Sequence, residues 1–312
     1  MSEPTTPTGD QPAPPGERLE EVFDAERDRL IGLAYRMLGS IADAEDVVQT
    51  AWLRWSDPGR GPVDRPAAWL TTVVSRLAID RMRQQQRRRE DYVGPWLPEP
   101  VATQAADPGS VGVDPARAAE LADSVTFGFL VLLDRLSPVE RAVFVLSDVF
   151  GEPFPSIAAA VGRSPDAVRQ IASRARRKVR EGRQADRRPA DEALLTELVV
   201  ALGEGSVDKV LSLMSPDVVL TSDGGPARRA ARRPVVGPDR VSRLMVHLTS
   251  RVVDDVEVSL TELNGAAAYV IRAPGLHMVL AADAGPDGRI AAVHIVMNPE
   301  KLGGIDRPAP VP

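Results

Sequence analysis

The chain has 312 residues, 43% hydrophobic and 26% charged, with a formal net charge of -6, a length and balance that point to two or three globular domains and not to a disordered or fibrous chain. The nearest approach to a long apolar run, FGFLVLL at 127–133, is too short to span a bilayer. Cysteine is absent, which excludes disulfides and thiolate metal ligands; no metal, cofactor or membrane association is expected, and the address is expected to be cytoplasmic.

Residues 1–16 are polar and Pro-rich and read as a disordered tail. A helical block over 17–90 follows. LIGLAYRMLGS sets Leu30, Leu33, Ala34, Met37 and Leu38 on one stripe and stops at Gly39. In SIADAEDVVQTAWLRW, Val48, Ala51, Trp52 and Trp55 have core spacing, while Asp43, Glu45, Asp46 and Gln49 face outward. After the turn-rich SDPGRGPVDRP, a helix begins at Pro66 with Leu70, Val73, Val74 and Leu77 inward. Its opposite face carries Trp69, Thr72, Arg76, Asp80 and Arg83, an aromatic with cations suited to stacking on unpaired bases and gripping the backbone. Trp69 would serve core packing equally well, and RQQQRRR could be a frayed helix end.

Residues 91–121 form a Pro- and Gly-rich linker containing WLPEP. A second helical block spans 122–184. Ser137 and Glu140 form a capping box for an apolar helix. FPSIAAAVG is a short helix ended by Gly162, and Ser164-Pro165 open the next. That helix places Val168, Ile171, Ala172, Ala175 and Val179 on one face and Asp166, Arg169, Gln170, Ser173, Arg174 and Arg177 on the other. Two helices joined by a tight Gly turn, the second one basic, match a helix-turn-helix. From Arg163 to Arg188 there are ten basic residues against three acidic ones in an otherwise acidic chain, which is the footprint of a polyanion site.

DAEDVVQTAWLRW, AWLTTVVSRLAIDRMR and the helix-turn-helix, in this order, closely resemble the bacterial extracytoplasmic-function sigma factors. The resemblance implies a σ2 domain at 17–90 and a σ4 domain at 122–184, both all-α. It implies that Asp43, Glu45, Asp46 and Gln49 dock on the β′ clamp helices of core RNA polymerase, with the β flap as a further partner. It implies that Trp69, Thr72, Arg76, Asp80 and Arg83 hold the melted minus-ten element. Arg163, Ser164, Arg169, Gln170, Ser173, Arg174 and Arg177 would then read the minus-thirty-five element of promoter DNA.

Residues 190–305 change pattern, and a short tail occupies 306–312. Two helices and a strand, a helix around 238–250, and four strand-like runs with a hairpin turn at Asn264-Gly265 resemble the α+β SnoaL-like cone, the fold of nuclear transport factor 2, on an antiparallel sheet. Three stretches resemble the sigma subgroup with a fused cone of this kind: WLPEP (Trp96, Leu97, Pro98, Glu99, Pro100), DGG (Asp223, Gly224, Gly225) and NPEKL (Asn298, Pro299, Lys301, Leu302). DGG here departs from the subgroup by running into PARRAARR. In a Pro-rich linker, Trp96 and Leu97 would be exposed unless they dock, so WLPEP is expected to insert into a groove, with NPEKL folding back onto the linker or the σ domains. A cone enzyme would need a positioned carboxylate and an oxyanion donor. Asp217, Asp223, Tyr269, His247, His277 and His294 are available, but nothing in their spacing singles them out. The cone is therefore expected to regulate in cis and not to catalyse; a cone that binds or turns over a small molecule is the alternative.

Overall fold

The computed structural model describes residues 15–90, 92, 94–102, 126–182, 187–228, 230–251 and 255–305. Both expected tails, except the first residues of the opening helix, and linker positions 103–125 lie outside the described residues.

Three helices build the first domain: α1 (Pro15–Leu38), α2 (Ile41–Trp55) and α3 (Pro66–Glu90). Gly39 stops α1 in a left-handed conformation, φ 69°, which only glycine adopts at little cost. Ser40 then caps α2 by accepting from the Asp43 amide. The second domain holds α4 (Phe127–Leu133), α5 (Pro138–Phe144), α6 (Phe154–Val161) and α7 (Pro165–Gly182). The Ser137–Glu140 capping box forms as expected, Gly162 turns the chain at φ 66°, and the Ser164 hydroxyl accepts from the Ala167 amide. Val168, Ile171, Ala172, Ala175 and Val179 are buried.

The third domain is an α+β cone. Helices α8 (Glu192–Gly203), α9 (Val207–Leu213) and α10 (Pro238–Thr249) cover one face of a seven-stranded sheet. Its strands are β1 (188–189), β2 (214–223), β3 (235–236), β4 (257–263), β5 (266–273), β6 (276–284) and β7 (290–296), in the order β3-β2-β7-β6-β5-β4 with β1 on β6. The sheet is mixed, not purely antiparallel as expected: β2 and β7 run parallel. The meander β4–β7 returns the chain beside β2 in the same direction, and no local sequence signal encodes that long-range pairing. Asn264 and Gly265 both take positive φ, 52° and 67°, as a two-residue hairpin turn requires.

Two features of the packing position the site. The helical domains share one apolar core, running from Leu30, Tyr35 and Val74 through Val145, Leu146 and Ile157 to Ala172. The outer face of the cone sheet buries Val270, Val279 and Val296 against Leu97 of the linker, Phe127 of α4 and Leu302 of the tail. β7 is therefore buried on both faces, which explains a composition that is apolar but for His294.

Candidate functional site

WLPEP, DGG and NPEKL, far apart in the sequence, meet at one carboxylate. Asp223 closes β2 and is 1% exposed. Its Oδ2 accepts from the Leu97 amide at 2.9 Å and from Lys301 Nζ at 2.7 Å; its Oδ1 accepts from the Gly225 amide at 3.0 Å and from the Tyr92 hydroxyl at 2.5 Å. Lys301 also donates to the Leu97 carbonyl at 2.5 Å and lies 3.4 Å from the Trp96 ring centroid. Asn298 caps the tail turn by accepting from the Glu300 amide and donates to Tyr92 at 3.1 Å. Burial, then the bond to Asp223, pushes the Tyr92 phenol above its ordinary range, so it stays protonated and donates. A Cβ on Gly225 would lie 2.6 Å from Asn298 Cγ, so the approach of tail to DGG needs a glycine. Every expected member of this set is brought together or stands next to it.

The same linker strand holds the first domain. The Glu99 amide donates to the Gly39 carbonyl at 2.8 Å, and the Glu99 carboxylate accepts from the Ile41 amide at 2.9 Å. Pro98 packs at Gly39. Tyr35 donates to the Glu99 carbonyl at 2.7 Å and accepts from Asn264 Nδ2 at 2.6 Å, while Asn264 Oδ1 accepts from the Val101 amide. WLPEP is thus clamped between the α1–α2 turn and the cone, with Pro98 and Pro100 buried.

Burial pushes the Glu99 carboxyl above its usual range, against the pull of the Ile41 amide. A raised folded pKa means that the protonated form is favoured in the fold. Its stabilising contribution is full below the unfolded value, about 4.3, and is lost as pH rises through the folded one. Raising pH from about 4 to about 7 should therefore lower the melting temperature more in the native protein than in Glu99→Gln. Parallel melting profiles would contradict that assignment.

Arg163 and Ser164 before α7, and Arg169, Gln170, Ser173, Arg174 and Arg177 on it, are all exposed. Arg169 pairs with Asp166, and Arg177 lies 3.9 Å from Glu181. Such exposed pairs are worth about 0–1 kcal/mol and exchange readily for phosphate. Arg176 and Lys178 serve a different purpose: they bond Asp148 at 2.7 Å and Glu140 at 2.8 Å, fastening α7 to α5 and the turn after it.

The expected free face of α3 is corrected. Arg76 donates to the Ala159 and Ala160 carbonyls, at 2.7 and 3.4 Å, at the C-terminal end of α6; those carbonyls lack helical partners and attract a cation. Thr72 faces Ser156 and Ala160 across the same junction. Trp69 is half-buried against Trp55 at 5.6 Å. Asp80 and Arg83 remain exposed and pair with each other. The outward placement of Asp43 is corrected too, because it is half-buried, bonded to Arg81 and to Gln85. Glu45, Asp46 and Gln49 are exposed. Leu53, absent from the expected set, is 62% exposed on the same face as Asp46 and Gln49, one turn further along.

Four of the residues available for cone catalysis are bonded to other protein groups. Asp223 belongs to the linker cluster; Tyr269 bonds Thr196; Asp217 bonds Ser215 and Arg187; His294 bonds Asp283 at 3.1 Å beneath α4. Tyr35, Tyr92 and Asn264 complete the clamp; Asn264 carried a hairpin-turn signal but none for this contact, and the two tyrosines had no signal beyond their residue type.

A basic helix-turn-helix joined to a second helical domain defines a DNA-binding transcription protein. Residues 22–88 match Sigma-70 region 2, and residues 128–179 match Sigma-70, region 4. The chain is 40% identical over 298 residues to the ECF RNA polymerase sigma factor SigJ of Mycobacterium tuberculosis, covering 90% of this chain and 92% of that one. It is 35% identical over 288 residues to the probable ECF RNA polymerase sigma factor SigI of the same organism, covering 91% and 94%. The crystal structure of M. tuberculosis SigJ superposes with a TM-score of 0.72 at 35% identity, over 91% of this chain and 98% of that one. The chain belongs to the extracytoplasmic-function sigma factors of RNA polymerase, which direct promoter recognition and the initiation of transcription.

Proposed function

We propose that this sigma factor is held closed by its own cone and linker, and that initiation requires σ2 and σ4 to separate. The domains are σ2 at 17–90, the linker at 91–121, σ4 at 122–184 and the regulatory cone at 190–305. The observation that carries this reading is the double engagement of the chain. Asp223 and Lys301 weld WLPEP to the cone, while Arg76, on the face assigned to the minus-ten element, is spent on σ4 carbonyls. The minus-thirty-five face of α7 stays open, so the closed form withholds the σ2 contact and the domain spacing. The cone acts as a regulator and not as an enzyme: Asp217, Asp223, Tyr269 and His294 are each bonded to other protein groups.

Polymerase docking is assigned to Glu45, Asp46, Gln49 and Leu53 on α2. Asp46→Arg should lower affinity for core RNA polymerase at least tenfold and remove promoter-directed transcripts, with the melting temperature unchanged, because Asp46 is exposed. Undiminished core affinity in a direct titration would overturn this assignment.

A further inference from the structure

PARRAARR, where the chain departs from its subgroup, is a built surface and not a loose insertion. Over 190–305 there are fifteen acidic residues against eleven basic ones, yet four of those eleven stand at 228, 229, 232 and 233, and no acid occurs from Gly224 to Pro238. The loop is pinned. The Arg228 amide donates to the Gly224 carbonyl at 3.1 Å, Arg228 Nη1 donates to the Gly275 carbonyl at 2.5 Å, and the Ala231 amide donates to Ser222 Oγ at 3.0 Å. Gly94 of the linker lies against Ala231 and Arg232, where an added Cβ would be 3.6 Å from both. Arg228, Arg232 and Arg233 are exposed. Among the described residues, no carboxylate pairs with them, unlike Arg187, Arg243 and Arg272 of the same domain.

The loop also adjoins σ2. Helix α3 ends at Glu90 after a basic last stretch in which Arg83 and Arg87 are exposed. Two residues on, Tyr92 bonds Asp223, which begins the DGG turn. The basic end of α3 therefore leads straight into the arginine loop. Guanidinium groups with no carboxylate partner, carried on a pinned backbone, suit phosphate, since their forks match its oxygens. Between Gly224 and Pro234 the loop has no aromatic or long aliphatic side chain to enter lipid.

We propose that the arginine loop is a DNA-backbone contact of the cone, with Arg228, Arg232 and Arg233 binding phosphates of duplex promoter DNA next to the segment held by α3. The inference rests on the sigma-factor reading, and it adds that the cone remains on σ2 when σ4 moves away. Binding of a labelled promoter duplex to the full-length protein in complex with core RNA polymerase, measured from about 50 to 300 mM KCl, tests it. Arg232→Gln/Arg233→Gln should weaken binding about tenfold or more at low salt and reduce the slope of log affinity against log salt by about 2, near 0.9 per phosphate contact. Arg232→Lys/Arg233→Lys should restore most of the slope. An unchanged slope in the Gln variant overturns the proposal. So does a loss of core affinity in that variant without a DNA effect, which would assign the loop to polymerase. A loss of binding to phosphatidylserine vesicles with the DNA slope intact would assign it to a membrane and overturns it as well. Failure of the native complex to bind promoter DNA at all would instead overturn the parent reading.

Discussion

Asp223→Asn should release the linker from the cone while leaving each domain folded. Removing one partner of a buried ion pair costs about 3–5 kcal/mol, because the charge left behind stays desolvated. Here that charge is Lys301, 5% exposed, which would keep only the Leu97 carbonyl and the Trp96 ring among the contacts described above. The Leu97 amide reports the event directly, since its acceptor is Asp223 Oδ2. Hydrogen-exchange protection at Leu97 should fall by roughly two to three orders of magnitude, and the linker should become open to proteases. Asp217→Asn serves as the control: its pair with Arg187 is half-exposed, and its loss should change stability by about 0.5 kcal/mol or less. Native-like protection of Leu97 in Asp223→Asn would mean that apolar packing alone holds the linker.

Gly128→Leu should act as a wedge and raise promoter output. α4 of σ4 lies so close to the outer face of the cone that a Cβ at Gly128 would stand 2.8 Å from Asp283 Cγ. Asp283 cannot swing aside freely, because it is bonded to His294, itself 6% exposed. Overpacking of this kind costs about 1–3 kcal/mol, and the cheapest relief is separation of α4 from the cone. If that separation precedes initiation, the wedge favours the active form by the same energy, a factor of about 5 to 160. Reconstituted transcription at matched protein concentration should show increased initiation. Output equal to or below the native level, with unchanged melting of the cone, would place regulation elsewhere.

The division between what could be read from the sequence and what could not follows from range. Helix limits are local chemistry, so Gly39, the Ser137–Glu140 box, Gly162 and Ser164-Pro165 all announce themselves. The basic face of α7 was legible because amphipathic spacing separates it from the buried stripe. Asn264-Gly265 marks a hairpin by its φ demands, but nothing local shows that Asn264 is buried on Tyr35, 229 positions away. Arg76 is exposed as its face implies, but its engagement was not legible for a related reason. On α3 alone it points outward, and its partners are backbone carbonyls of α6, which carry no residue signature. Asp43 looked like its exposed neighbours because Arg81 and Gln85 belong to another helix. Docking through WLPEP and NPEKL was expected; that DGG joins them, and that Asp223 is the shared carboxylate, is visible only in the fold.

The separation of σ2 from σ4 is the quantity on which the closed-form mechanism stands. The chain has no cysteine, so Ala67→Cys on α3 and Arg180→Cys on α7, both exposed, allow two spin labels to be placed without background. Double electron–electron resonance on the free protein should give one narrow distance distribution. Addition of core RNA polymerase should replace it with a longer one, and Gly128→Leu should populate that longer distance before polymerase is added. The same narrow distribution in the free protein, the polymerase complex and the variant would contradict the mechanism.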